Sequence, residues 1–417
     1  MRRLLYLLPV PLLLTAAMIA PRAAAPTPPA TEAGDAGEDV VAAAARDPGV
    51  ATLAADAEAR WIPFQLTPGN QIRFAMTIDG QGVSAILDTG VSFTLLSRES
   101  PVAKRARIRP GGEASAIGGA VAIGWMPTRT LSLGGLTRKG GGVAVASLPA
   151  LATGDAKPVD LLVGRDLLAA HALDIDYQAK RFRLLPSGRM PFRGATAPLT
   201  VSAERRVYES AVGLGDTRLS PVIVDTGDGS ALTVTRAGWR AARLTSLPTT
   251  SAIGFGLAGP SVNDLAIAPT LKLGSLTAHD VEVRIEPAKG FSESVGVAGR
   301  LGSGFLQRYR VLLDPGAARM VLAPGPHADD PALRSTAGLL MGVGGDRLRV
   351  LHVMRGGPAD KAGWREGDAI CAIDGRPIPA DYVDSPMARW TVGKPGTTVR
   401  LRMCDGQERS LTLARFY

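Results

Sequence analysis

Asp88-Thr89-Gly90 returns as Asp225-Thr226-Gly227, and this interval of 137 residues is not an isolated coincidence. Ser115-Ala116-Ile117-Gly118 returns as Ser251-Ala252-Ile253-Gly254 after 136 residues. Gly164-Arg165-Asp166-Leu167-Leu168 corresponds to Gly302-Ser303-Gly304-Phe305-Leu306 after 138, and Asp176 and Asp314, each closing a short apolar run, also stand 138 apart. One three-residue match would be chance. Four blocks in one order at a nearly constant interval are a duplicated unit.

Each unit reads as β. Ile72–Ile78 and Val83–Leu87 flank Asp79-Gly80-Gln81-Gly82, a hairpin signal between two apolar runs, and Tyr208–Val212 and Pro221–Val224 flank Gly213-Leu214-Gly215-Asp216 in the same way. Leu131-Ser132-Leu133-Gly134-Gly135 and Leu271-Lys272-Leu273-Gly274-Ser275 form a second matched strand and turn. With 49 Gly, 31 Pro and 5% aromatics in 417 residues, the chain reads as mainly β and turn-rich, not as a helical bundle. Short strands at regular turn spacing predict a small closed β-barrel in each unit, with a short helix after Gly164 and after Gly302.

The flanks differ in character. Met1-Arg2-Arg3, the apolar run Leu4–Ala20 and the small residues Ala23-Ala24-Ala25 have the layout of a bacterial secretory signal over residues 1–25. Pro26 leaves the scissile bond unfixed, and an uncleaved membrane anchor is the rival reading. Export places the mature chain in the periplasm or outside the cell, with no further apolar stretch long enough to span a bilayer. Residues 26–60, rich in Ala, Pro, Asp and Glu, predict a flexible spacer with a short helix around Val40–Arg46. The first unit then covers 61–190 and the second 191–326. The net charge of +9 is spread along the chain without a basic block interleaved with aromatics, so no nucleic-acid partner is expected. His171, His279, His327 and His352 are scattered and give no metal-ligand spacing. No metal or cofactor is expected. Cys371 and Cys404 are compatible with a disulfide or with two small buried hydrophobes on neighbouring strands.

In Ile86-Leu87-Asp88-Thr89-Gly90 and Ile223-Val224-Asp225-Thr226-Gly227, an acid follows an apolar strand into a tight turn. Two such turns face to face would put two carboxyls too close to ionise together, so they would share one proton and supply an acid and a base at once. This pattern resembles the retropepsin-like (pepsin-type) aspartic proteases, in the two-lobed bacterial form, over about Trp61 to Pro324. Asp160-Leu161-Leu162-Val163-Gly164-Arg165-Asp166 resembles the family's segment supporting the catalytic turn. Glycine-rich stretches around Ile117, Gly118 and Gly119 and around Gly254, Phe255 and Gly256 resemble its flaps. The resemblance implies a pseudo-symmetric pair of β-barrel lobes. Asp88 and Asp225 would be catalytic, Thr89, Gly90, Thr226 and Gly227 would shape the turns, and two flaps would close on a polypeptide substrate. Both aspartates lie in one chain, so the expected enzyme is a monomer. Asp228 departs from the pattern by placing a third carboxylate after the second turn; it would either raise the pKa of Asp225 or point to solvent, and solvent is the expectation.

Residues 333–417 carry no copy of the repeat. Gly338-Leu339-Leu340-Met341-Gly342-Val343, Gly356-Gly357-Pro358-Ala359 and Ile373-Asp374-Gly375 resemble the PDZ domain of bacterial exported proteases. That resemblance implies that the loop Leu339, Leu340, Met341 and Gly342 captures the C-terminus of a peptide. The whole reads as an exported aspartic endopeptidase. A catalytically silent peptide-binding protein that keeps the fold is the alternative.

Overall fold

The computed structural model describes residues 36–153, 158–168 and 171–417, so the expected export signal and the start of the spacer lie outside the described residues. Among the described residues the chain is mainly β, with four sheets and only short helices.

Turn chemistry sets the first hairpin. Strands Ile72–Ile78 and Gln81–Leu87 pair antiparallel with Ile78 opposite Gln81, leaving Asp79 and Gly80 as a two-residue turn. Both turn residues have positive φ (51° and 82°), the geometry that matches the twist of paired strands. From here the two halves repeat one topology. In the first half, Gln81–Leu87 runs parallel to Leu161–Val163, which is antiparallel to Leu95–Ser97. Leu95–Ser97 in turn lies parallel to Gly142–Ala146, and the antiparallel Gly119–Pro127 and Arg109–Ala116 follow. In the second half, Thr217–Asp225, Gly299–Gly302, Leu232–Val234, Leu276–Ile285, Gly259–Leu273 and Thr250–Gly256 take the same places with the same orientations. Pairing of Tyr208–Leu214 with both Thr217–Asp225 and Gly259–Leu273 closes the first five of these strands into a ring, with Thr250–Gly256 outside it.

A six-stranded sheet joins the halves. Ala172–Asp176 pairs antiparallel with Tyr309–Asp314, placing Leu173 opposite Leu313. Asp174 is fully buried there, held by Arg183 (2.9 Å) and Arg310 (2.9 Å). One hydrophobic core runs through both halves, including Ile72, Leu87, Leu161, Val224, Leu301 and Phe305. The helices expected after the two glycines are present as Arg165–Leu168 and Ser303–Leu306.

The short helix expected around Val40–Arg46 is present, but from residue 36 onward the segment is docked on the fold and is not a flexible spacer. Ala36–Arg46 is a helix on the hairpin Arg109–Ala116/Gly119–Pro127, with Val40 buried. A Cβ at Gly111 would come 2.6 Å from Val40 Cγ2, so glycine is what lets the helix dock. Val50–Leu53 then adds a strand against Leu136–Lys139. The alanine-rich composition obscured a segment that contributes a few anchoring residues and backbone pairing.

Residues 339–412 form a separate sheet over their own core of Leu348, Ile370, Trp390 and Leu401. Cys371 and Cys404 form a disulfide within it. This module grips the base of the second hairpin: Thr250 Oγ1 donates to Arg355 O (2.8 Å), and Ser251 Oγ and His352 Nε2 lie 2.8 Å apart.

If residues 36–53 are structural, a chain beginning at Ala54 will be less stable than one beginning at Ala36 by about 2–4 kcal/mol, from the lost core contact and strand. Thermal unfolding of the two checks this; equal midpoints would restore the spacer reading.

Candidate active site

Asp88 leaves strand Gln81–Leu87 with its N–H donating to Val163 O (3.0 Å), and Asp225 ends strand Thr217–Asp225 opposite Gly302. Thr89 and Thr226, both fully buried, lock the two turns to each other. Thr89 N donates to Thr226 Oγ1 (3.1 Å) and Thr226 N to Thr89 Oγ1 (3.0 Å). Each hydroxyl then donates across to the strand before the other turn, Thr89 to Val224 O (2.7 Å) and Thr226 to Leu87 O (2.8 Å). The glycines bring the carboxyls together. A Cβ on Gly90 would lie 2.3–2.5 Å from the Asp225 carboxyl atoms, and one on Gly227 the same distance from those of Asp88. Each carboxyl therefore rests against the opposite turn.

The supporting glycines are equally constrained. A Cβ on Gly164 would strike Phe93 C at 2.6 Å, and one on Gly302 would strike Ser230 O at 2.3 Å and Asp228 O at 2.4 Å. Beside Gly302, Ser303 Oγ donates to Thr226 O (2.8 Å) and lies 3.3 Å from Tyr177 Oη. From before the first hairpin, Gln71 Nε2 donates to Gly227 O (2.7 Å). The turns are thus backed from both halves.

Asp88 and Asp225 are 9% and 7% exposed. Burial, then the charge of Asp225, holds the Asp88 carboxyl well above the usual carboxylate range. Burial and next Asp228 push Asp225 up to about 6, with Arg300 and the N–H groups of Gly227 and Asp228 opposing. Asp228 does not point to solvent. Its side chain is 9% exposed, and Oδ2 accepts from Arg300 Nε (3.0 Å). Burial raises its pKa, but Arg300 foremost, then Arg284 and the Ser230 N–H, hold it below the usual value. Arg300 also donates to Glu286 Oε1 (2.7 Å) and Ser292 Oγ (3.0 Å), and its Nε stands 3.8 Å from Asp225 Oδ2. Sequence reading missed Arg300 and Glu286. The signal was available: at the repeat interval of 138, Arg300 stands where the first unit has Leu162.

The two carboxyls sit in the floor of a cleft of about 340 Å³ with walls including Val91, Phe93, Ile123, Val207, Ile223 and Phe291. The glycine-rich hairpins roof it. Their tips touch, Ala258 N donating to Ile117 O (3.2 Å), and a Cβ at Gly256 would strike that same oxygen at 2.2 Å. Of the residues expected in the flaps, Ile117, Phe255 and Gly256 line the cleft. Gly118 and Gly119 form the first tip, while Gly254 pairs with Ser261 further down its strand.

Leu339, Leu340, Met341 and Gly342 do not form a loop. They belong to the end strand Leu339–Gly344, in which Leu339 is buried and Leu340 is exposed. The preceding Thr336 and Ala337 amides already donate to Thr391 O, and Gly338 N to Ser335 Oγ. Among the described residues, no cluster of three or more His, Cys, Asp or Glu is placed to hold a metal.

Two buried carboxyls face each other in an apolar-walled cleft, on turns whose backbone is held by polar contacts. The chain matches the aspartyl protease family over residues 74–167, which takes in Asp88, the first hairpin roof and Gly164. That match supports an aspartyl protease-like domain and peptidase activity at this coarse level. No curated protein matches the chain.

The cross-turn lock predicts that Thr89→Val, which strands the Val224 carbonyl and the Thr226 amide, costs about 2–4 kcal/mol. Thr89→Ser, which keeps the hydroxyl, costs about 1 kcal/mol. Chemical denaturation of both variants checks the difference; equal losses would mean that the methyl group, not the hydrogen bonds, matters.

Proposed function

We propose that the protein is an aspartic endopeptidase in which Asp88 and Asp225, from two retropepsin-like β-barrel lobes of one chain, share one proton. The observation that carries the reading is the mutual embedding of each carboxyl in the opposite turn. Two buried acids so placed favour the state with a single charge, which holds a base and an acid at the same moment. The ionised carboxylate takes a proton from water as its oxygen attacks the peptide carbonyl, and the protonated carboxyl gives its proton to the carbonyl oxygen. The protonated base then delivers its proton to the leaving nitrogen as the C–N bond breaks. The other carboxylate recovers a proton from the diol, and the dyad is restored. The apolar walls and the touching hairpins favour an extended polypeptide whose entry requires the roof to open.

The C-terminal module fits a PDZ-like role in which a peptide adds a strand along the Leu339–Gly344 edge. The occupied amides of Thr336, Ala337 and Gly338 favour strand addition over capture of a terminal carboxylate at that turn. Export to the periplasm rests on the N-terminal sequence alone. No helix among the described residues is long and apolar enough to cross a membrane.

Cleavage of an unfolded polypeptide should follow a bell-shaped pH profile. It rises as the dyad loses its first proton, with Asp225 at about 6, and falls as the second proton leaves. Asp88→Asn and Asp225→Asn should each lower the rate by about 10³-fold or more, since each removes a member of one unit. Unchanged cleavage in either variant would remove that residue from the mechanism.

The stability consequence has a definite sign. Both folded-state pKa values are raised above 3.8. The stability that the protonated forms contribute is complete below that pH and is lost as pH rises through about 6 and beyond. Asp88→Asn should therefore stabilise the fold more at pH 7 than at pH 4, measured by denaturation at both values.

A further inference from the structure

The two halves repeat in backbone but not in charge. Ile86 lies opposite Leu162 in the first half, and the corresponding Ile223 lies opposite Arg300 in the second. One turn further, at the interval of 137, Val91 is answered by Asp228. An aliphatic pair that flanks Asp88 is thus replaced, beside Asp225, by a buried ion pair. Arg300 is 4% exposed and Glu286, its second partner, also 4%. Such an arrangement is costly to bury and adds little to stability that apolar residues could not supply. The apolar version of this corner exists in the same molecule.

The carboxyls themselves are unequally solvated by protein. Asp88 Oδ1 accepts from one backbone amide, Gly90 N (3.0 Å). Asp225 Oδ1 accepts from two, Gly227 N (2.9 Å) and Asp228 N (3.0 Å), and its Oδ2 has the Arg300 guanidinium at 3.8 Å. Donors aimed at a carboxylate favour its ionised form. We infer that Arg300, anchored by Asp228 and Glu286, is a positioning residue that makes Asp225 the ionised member of the dyad and leaves the proton on Asp88. The inference rests on the peptidase reading and deepens it. Asp225 takes the proton from water, and Asp88 protonates the substrate carbonyl.

The other charged groups around Asp225 are accounted for. Asp88 faces it from the first turn, and Asp228 from its own turn opposes Arg300 in sign. Arg284 acts on Asp228 from strand Leu276–Ile285. Glu204 and Arg205 line the cleft wall, where Arg205 is paired to Glu204 (3.1 Å) and Glu209 (2.8 Å). Burial disfavours the charge on Arg300, yet Asp228, Glu286 and Asp225 together keep it protonated.

The test uses the full chain and two variants of opposite sign. Arg300→Gln removes the attraction and should move the acid limb of the kcat/KM profile, read on a dye-labelled unfolded polypeptide, upward by about one pH unit. Asp228→Asn removes a repulsion, keeps Arg300 on Glu286, and should move the limb downward. Structural damage would lower the rate without shifting the limbs in opposite directions. If Arg300→Gln does not fold, Asp228→Asn still decides by the sign of its shift. A ¹³C-carboxyl titration of aspartate-labelled protein reads the same order without cleavage. The first of the two dyad signals to ionise should be the one missing in Asp225→Asn. Unmoved limbs, or a first ionisation missing instead in Asp88→Asn, would overturn the inference. Absence of cleavage by the unaltered chain with this titration order intact would strike the peptidase reading and leave the assignment standing.

Discussion

The reciprocal hydrogen bonds between Thr89 and Thr226 are the constraint on which the rest depends. Each threonine uses its amide and hydroxyl on the other half of the molecule, so neither turn is complete alone. Because both residues are fully buried, no water can replace a lost partner, and the two halves are fixed to each other at the point where the carboxyls meet. The six-stranded sheet provides a second linkage between the halves, through Leu173 against Leu313. Tyr177, directly after strand Ala172–Asp176, reaches Ser303 Oγ (3.3 Å), which donates to Thr226 O, so this sheet backs the turns that carry the carboxyls.

Held closely, the pair inherits an electrostatic problem that the surroundings resolve unevenly. Burial resists both charges, and the charge on one resists the other. A symmetric site would leave the proton undecided. Here the second half supplies an extra amide and a guanidinium, whereas the first supplies aliphatic packing from Val91 and Leu162. Duplication gave a common backbone, and divergence at two positions gave the halves different electrical roles. The hairpin that roofs the second half is in turn bonded at its base to the C-terminal module through Thr250, Ser251 and Asp264, linking the cleft roof to that module's sheet.

Much of this was legible in the residues. The repeat interval located both turns, Asp79-Gly80 marked the first hairpin, and Gly164 and Gly302 marked the short helices because only a residue without Cβ fits against the turns. What stayed hidden depended on distant partners. Arg300 differs from Leu162 at the repeat interval, but only strand pairing shows that it reaches Asp225, and Asp228 looks like a turn acid until Arg300 covers it. Within segment 36–53 the short helix around Val40–Arg46 was legible, whereas its docking was not, since that is decided by Val40 meeting a glycine on another strand. Leu339–Gly342 read as a loop because of the resemblance to a PDZ peptide-binding loop, whereas pairing with Arg347–Val353 makes it a strand.

The central claim is that one chain supplies both halves of one acid/base pair. Mixing purified Asp88→Asn and Asp225→Asn chains across a range of ratios, with the unaltered chain as the active reference, tests it most directly. Cleavage in the mixture should not rise above the variants' own residual rates at any ratio, because every folded chain keeps its own defective dyad. Recovery of cleavage in the mixture would show that the pair forms between chains and would contradict it.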